Sequence, residues 1–190
     1  NSHICFVDDG SKDNTWDIIS RLSRQKTNIF GIKLSHNSGH QNALLAGLLN
    51  IRKNADCVIS IDADLQDDVA AIGELVKEYN NGYDIVYGVR RQRKTDSLFK
   101  RLSALLFYRL MYWMGAEVVN NHADYRLTSK RVLDNLANYK EVNLFLRGIF
   151  PIIGFKSTVV TYDRNKRFAG KSKYPLGKML SFAMDGITSF

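Results

Sequence analysis

The sequence is poor in the residues that build specialised scaffolds. Two of its 190 residues are cysteines, Cys5 and Cys57, far apart and inside apolar runs. That excludes a disulfide framework and a CxxC metal site, and predicts two reduced, buried thiols of the kind found in the cytosol. Two prolines and thirteen glycines exclude collagen-like and low-complexity chains. Acids are the minority charge: 19 Asp and Glu face 27 Lys and Arg, a net +8. That balance points to an anionic partner: nucleic acid, acidic lipid or a phosphorylated small molecule. No stretch reaches the roughly 18 uncharged apolar residues that a bilayer span requires. The chain opens at Asn1 with no Met and no signal peptide, and closes at Phe190 inside an amphipathic pattern. Both ends suit a piece of a longer protein.

What remains is the make-up of a folded domain. Hydrophobic residues are 45%, aromatic 11% and charged 24% of the chain, enough for one sizeable core. Hydrophobic spacing alternates between two periods. Residues 3–7 read as a short apolar strand. Ser11 or Asp13 can cap a following helix in which Ile18, Ile19 and Leu22 share a face. Residues 28–34 alternate like a strand. Gly39 leads into a helix with Leu44, Leu45, Leu48 and Ile51 inward, and residues 57–61 read as a strand of the buried parallel type. Asp67 and Asp68 suit the start of a helix with Ile72, Leu75, Val76 and Tyr79 on one side. Residues 84–89 form the next strand. This order argues a mostly parallel sheet covered by helices on both faces, an α/β class. Further on, residues 97–114 and 129–139 read as helices, 155–162 as a strand and 164–173 as a basic loop. Pro175 opens a last helix. No internal repeat or linker interrupts the order.

Ligands of such sheets bind beyond the carboxyl ends of the strands. Acids cluster there twice: Asp8 and Asp9 after the first strand, Asp62 and Asp64 after the third. Carboxylates flanking one small residue can both turn to a divalent ion. Their hard oxygens suit Mg2+ or Mn2+, which leave positions open for diphosphate oxygens. The plain alternative is that such acids cap the next helix, the reading preferred for Asp67 and Asp68. His36 and His40 lie four apart, but Gly39 interrupts their helix and no acidic third ligand is near, which disfavours a zinc site.

In this order, VDDGSKDNT, HNSGHQNALLAG and DADLQDD resemble family-2 inverting glycosyltransferases, whose nucleotide-sugar fold is called GT-A. HADYRLTSKRV is similar to a segment of the polyprenyl-phosphate branch, which includes dolichol-phosphate mannose synthases and bacterial undecaprenyl-phosphate glycosyltransferases. RFAGKSKYPLGKMLSFAMDGITSF resembles that branch's approach to its membrane helices. The resemblance implies a catalytic domain over 1–174 that lacks the family's first strand. It makes 175–190 the start of a juxtamembrane helix, with membrane helices beyond.

The roles that follow are those the resemblance implies. Asp8 and Asp9 face the nucleoside, one toward a uracil or guanine edge and one toward the ribose. Gly39 and Gln41 lie near the donor. Asp62 and Asp64 hold Mg2+ or Mn2+ on the donor diphosphate, with Gln66 as a third contact. Arg90 touches phosphate. Asp124 is the acceptor-side acid, either a base or an orienting group; its plain alternative is an ion pair with Arg126. Arg126, Arg147, Arg164, Arg167, Lys171 and Lys173 grip donor or lipid phosphate, with Lys166 and Lys178 adding charge. The apolar residues of 97–114 fit a core helix, or an interfacial one.

The expected function is transfer of a sugar from a UDP- or GDP-linked donor to a polyprenyl phosphate at the cytoplasmic membrane face, with a homo-oligomer possible. A family member with a saccharide hydroxyl as acceptor is the alternative. A nucleic-acid-binding module is disfavoured, because strand-end acids repel a phosphate backbone and no nucleic-acid motif is present. A catalytically idle membrane adaptor is disfavoured by Asp62, Asp64 and Asp124.

Overall fold

The computed structural model describes residues 2–91, 122–139 and 146–163. The expected helix at 97–114 and the whole basic tail from Arg164 onward lie outside the described residues. The chain divides into two compact units, Asn1–Ala55 and Asp56–Phe190.

In the first unit, β1 (Ile4–Asp8) and β2 (Ile29–Lys33) pair in parallel, from Ile4 opposite Ile29 to Asp8 opposite Lys33. Helix α1 (Thr15–Gln25) joins them. Asp13 Oδ1 accepts from the Thr15 amide at 3.0 Å and so stands just ahead of the helix, close to its expected capping role. Asp17 in the first turn and Arg24 in the last both suit the helix dipole. Ile19 is buried, whereas Ile18 is 47% exposed, contrary to the shared face expected. Neighbours on a helix lie about 100° apart, so only one of the two can point into the sheet. Helix α2 (His40–Ile51) buries Ala43, Gly47 and Leu48. Of the four inward residues expected, Leu48 alone is fully covered. Small residues take the contact line because α2 lies close to β1: a Cβ on Gly47 would meet Val7 Cγ2 at 2.8 Å.

The second unit holds a four-stranded sheet in the order β3-β5-β4-β6. Its strands are β3 (Cys57–Ser60), β4 (Ile85–Arg90), β5 (His122–Ser129) and β6 (Ser157–Tyr162). β4 and β6 are parallel, while β5 runs antiparallel to both β3 and β4. The strand at 57–60 therefore has an antiparallel neighbour rather than the parallel one its apolar run suggested. β5 is the element that hydrophobic spacing does not reveal. It lies in the middle of the sheet and is buried from Asp124 to Ser129. Its alternate residues Tyr125 and Leu127 enter a cluster with Ala71, Leu75, Val86 and Tyr162.

Among the described residues this unit has three helices, α3 (Ala71–Asn80), α4 (Lys130–Leu136) and α5 (Leu146–Ile152). α3 turns Ala71, Leu75 and Tyr79, spaced four apart, onto that cluster. Ile72 and Val76 stay exposed, so its inward stripe is narrower than expected. Full burial of Leu75 is worth about 1.5–3 kcal/mol. Ser129 caps α4, its side chain accepting from the Val132 amide at 3.4 Å. No helix among the described residues is long and apolar enough to cross a membrane.

Candidate functional site

In the first unit the acids of the first motif close a junction between two loops. Asp8 ends β1 and is 2% exposed. Its Oδ1 accepts from the Ser11 amide at 3.2 Å, while its Oδ2 is buried with no hydrogen-bond partner among the described residues. Asp9 points to the start of α2. Its Oδ1 accepts from the Ser38 amide at 2.7 Å and its Oδ2 from the Gly39 amide at 3.1 Å. Asn37 Nδ2 donates back to the Asp9 carbonyl at 3.1 Å. Gly10 makes this possible. Its φ is +67°, and a Cβ there would lie 2.6 Å from the His36–Asn37 backbone. The two neighbouring acids thus differ in kind: Asp9 spends both oxygens on backbone amides, and one oxygen of Asp8 has no partner among the described residues. Gly39 enters as one of Asp9's donors, and Gln41 lies half-buried in the first turn of α2.

In the second unit the strand ends converge by register. Ser60, the last residue of β3, lies opposite Arg126 of β5, and its hydroxyl donates to the Asp124 carbonyl. The segment that leaves β3, bearing Asp62, Asp64 and Gln66, therefore starts beside Asp124. β4 and β6 end at the same edge, in Arg90 and Tyr162, which lie opposite each other. Asp62 and Asp64 are half-buried and Gln66 is buried. Asp64 Oδ1 accepts from the Gln66 amide at 3.1 Å, and Leu65 between them has a φ of +57° while 65% exposed.

Asp124 is held by two arginines. Arg126 Nη2 donates to Oδ1 at 2.7 Å; Arg147 Nε donates to Oδ1 at 3.2 Å and its Nη2 to Oδ2 at 2.9 Å. Arg126 is fully buried, with its guanidinium 4.2 Å from the centre of the Phe150 ring. Burial pushes its pKa down, opposed by the charge of Asp124. Arg147 keeps a third of its side chain exposed. So the paired reading of Asp124 and Arg126 is realised, and Arg147 joins the pair from α5.

Asp67 departs from its expected capping role. It is 3% exposed, and its Oδ1 accepts from Tyr162 Oη at 2.6 Å, Arg90 Nη2 at 3.0 Å and Arg90 Nε at 3.2 Å. Burial, then the bond to Asp67, pushes the Tyr162 hydroxyl well above its usual range, so it stays a proton donor. Asp68 does stand at the start of α3, its Oδ1 accepting from the Ala70 amide at 2.9 Å. Ser60, Tyr162 and the buried state of Asp67 are the features that sequence reasoning missed. The one available signal was the position of Tyr162 at the end of an alternating strand.

Acids at strand ends and an acid gripped by two arginines are the features that the resemblance to sugar-transferring α/β proteins leads one to expect. Comparison with known proteins agrees: the family model for glycosyl transferase family 2 matches residues 1–137, and the chain belongs to that family. Its mixed α/β architecture is the nucleotide-sugar fold, GT-A, expected of it. Among its relatives is the uncharacterized glycosyltransferase YkoT of Bacillus subtilis (strain 168), 60% identical over 189 residues, covering 100% of this chain and 56% of YkoT. YkcC of the same organism is 42% identical over 191 residues, covering 100% of this chain and 58% of YkcC. The bactoprenol glucosyl transferase of Shigella phage SfX is 38% identical over 188 residues, covering 98% of this chain and 61% of that protein. The chain spans a little over half the length of these relatives.

Proposed function

We propose that the whole protein transfers a sugar from a UDP- or GDP-linked donor to a polyprenyl phosphate at the cytoplasmic face of a membrane, with inversion at the anomeric carbon. The observation that carries this reading is the grip on Asp124. A carboxylate that already accepts three guanidinium N–H bonds is built to orient its surroundings rather than to take up a proton. A hydroxyl acceptor needs a base; a lipid phosphate is already ionised at neutral pH and does not. Similarity over 98% of the chain to a bactoprenol glucosyl transferase supports the same acceptor class.

The chemistry is then a displacement. A phosphate oxygen of the lipid forms a bond to the anomeric carbon from one side. The bond from that carbon to the donor diphosphate breaks on the other, and the nucleoside diphosphate leaves. Asp62 and Asp64 would hold Mg2+ or Mn2+; two half-buried carboxylates fit an ion that keeps its remaining positions for phosphate oxygens and water. Such an ion supplies charge stabilisation to the departing diphosphate. Gln66 is buried, and its amide closes the turn onto Asp64 Oδ1. The unused oxygen of Asp8 suits a nucleobase N–H, and Asp9 shapes the loop beside it. Arg147, partly exposed, suits an acceptor phosphate, while buried Arg126 acts by holding Asp124. Arg164, Arg167, Lys171 and Lys173 complete the reading as phosphate contacts and as charge toward an anionic membrane surface.

The test is full-length protein in membranes with polyprenyl phosphate and a panel of UDP- and GDP-sugars, scored for sugar in the lipid extract. A lipid-linked product with one donor is expected, abolished by Asp64→Asn and by EDTA. Product on a saccharide but not on lipid would assign the acceptor to the hydroxyl class.

A further inference from the structure

We infer that Asp67, Arg90 and Tyr162 form a buried latch that fixes the Asp62–Gln66 segment in its ligand-holding shape, which makes all three positioning residues for the donor diphosphate. The inference rests on the assignment of Asp62 and Asp64 to the donor's metal ion.

The turn in the middle of the segment is strained. Leu65 sits in the left-handed region, where a bulky side chain is rarely found, and two-thirds of it is exposed, so packing does not compensate. The short turn from the Gln66 amide to Asp64 Oδ1 is local. Asp67, one residue past Gln66, ties the segment to the sheet. There the carboxylate meets donors from the ends of two further elements, Arg90 of β4 and Tyr162 of β6. Arg90 Nε also lies 3.2 Å from Tyr162 Oη, closing the triangle. A second tether follows at once: Tyr125 Oη donates to the Asp68 carbonyl at 3.0 Å, and the Tyr125 and Tyr162 rings meet edge to face at 5.1 Å.

The latch is a poor device for stability alone. A buried ion pair loses much of its attraction to desolvation and is often replaced by apolar residues without loss. Here Asp67 Oδ2 is in addition buried with no hydrogen-bond partner among the described residues. What the cluster does supply is direction. A charged group that accepts from two strand ends has one allowed position, and it sets where the preceding carboxylates stand.

Full-length wild type, Asp67→Asn, Tyr162→Phe and Asp64→Asn are compared for Mn2+ binding by electron paramagnetic resonance in the presence of UDP and of GDP. Donor KM and kcat and the melting temperature are measured alongside. The latch predicts that Asp67→Asn and Tyr162→Phe weaken nucleotide-dependent Mn2+ binding by about tenfold or more and raise donor KM more than they lower kcat. Tyr162→Phe, which keeps the ion pair, melts near wild type, whereas Asp67→Asn, which leaves Arg90 without its counter-charge, melts lower. Asp64→Asn loses the binding altogether. If Asp64→Asn binds like wild type, the metal assignment fails and takes the latch with it. If Asp64→Asn loses binding but the two latch variants match wild type, the latch alone is overturned. A loss in Tyr162→Phe that merely tracks a fall in its melting temperature overturns it too, leaving a packing cluster.

Discussion

At the scale of single residues, similar neighbours hold dissimilar posts. Asp8 and Asp9 are adjacent acids, yet one has an oxygen without a partner among the described residues and the other is consumed by the backbone of a second loop. Arg126 and Arg147 both reach Asp124, yet one is sealed in and the other is partly open. Removing the sealed partner leaves part of a buried charge uncompensated, so Arg126→Ala should cost about 3–5 kcal/mol in urea denaturation. Arg147→Ala should cost clearly less and show its effect in turnover. The residue types were legible in the sequence: Asp124 and Arg126 stand two apart, and Asp62 and Asp64 share a motif. Which acid is used by the fold and which is left for a ligand was not. That depends on amides 29 and 30 residues from Asp9 and a guanidinium 23 residues from Asp124 along the chain, and spacing carries no record of them.

At the scale of elements, the first three helices and the strands flanking them were legible, because their apolar residues repeat with helical or strand period. β5 was not, since the polar residues along it lie buried inside the protein rather than in water. Asp124 bonds Arg126, and Ser129 Oγ donates to Asp84 Oδ1 at 2.8 Å. Alternation of apolar and polar residues normally means one wet face; here both faces are dry. β4 adapts to this neighbour at Gly88, where the pairing with β5 shifts register. A Cβ there would come within 2.8 Å of the Tyr125 carbonyl and 3.1 Å of the Tyr162 ring. Gly88→Ala should therefore destabilise by about 1–3 kcal/mol, read from thermal or urea melts. A neutral result would mean that the two tyrosines have room to move.

At the scale of the whole molecule, tyrosine burial sets an alkaline limit. Tyr87 and Tyr125 are each pushed up to about 12 from an ordinary 10.0, burial being the main cause. In the unfolded chain these phenols ionise first, while the folded protein still holds their protons. Their contribution to stability is complete below pH 10 and is lost as pH rises through about 12. Melting temperature should fall across that window, and less steeply in Tyr125→Phe; an equal slope in the variant would exclude Tyr125 as a cause. The class of the fold was legible at this scale from element order alone. The direction of β5 was not, since strand polarity in a mixed sheet depends on chain routing rather than on hydrophobic pattern.

β5 gives its two sides to different tasks, with Asp124 and Arg126 on one and Tyr125 and Leu127 on the other. Deleting a single residue just after Arg126 would exchange the sides, driving an acid and a guanidinium among Leu75 and Val86. Length is therefore a stricter constraint on this strand than composition. Related chains can vary its letters, but an odd-numbered gap within it would forfeit the core and the acid together.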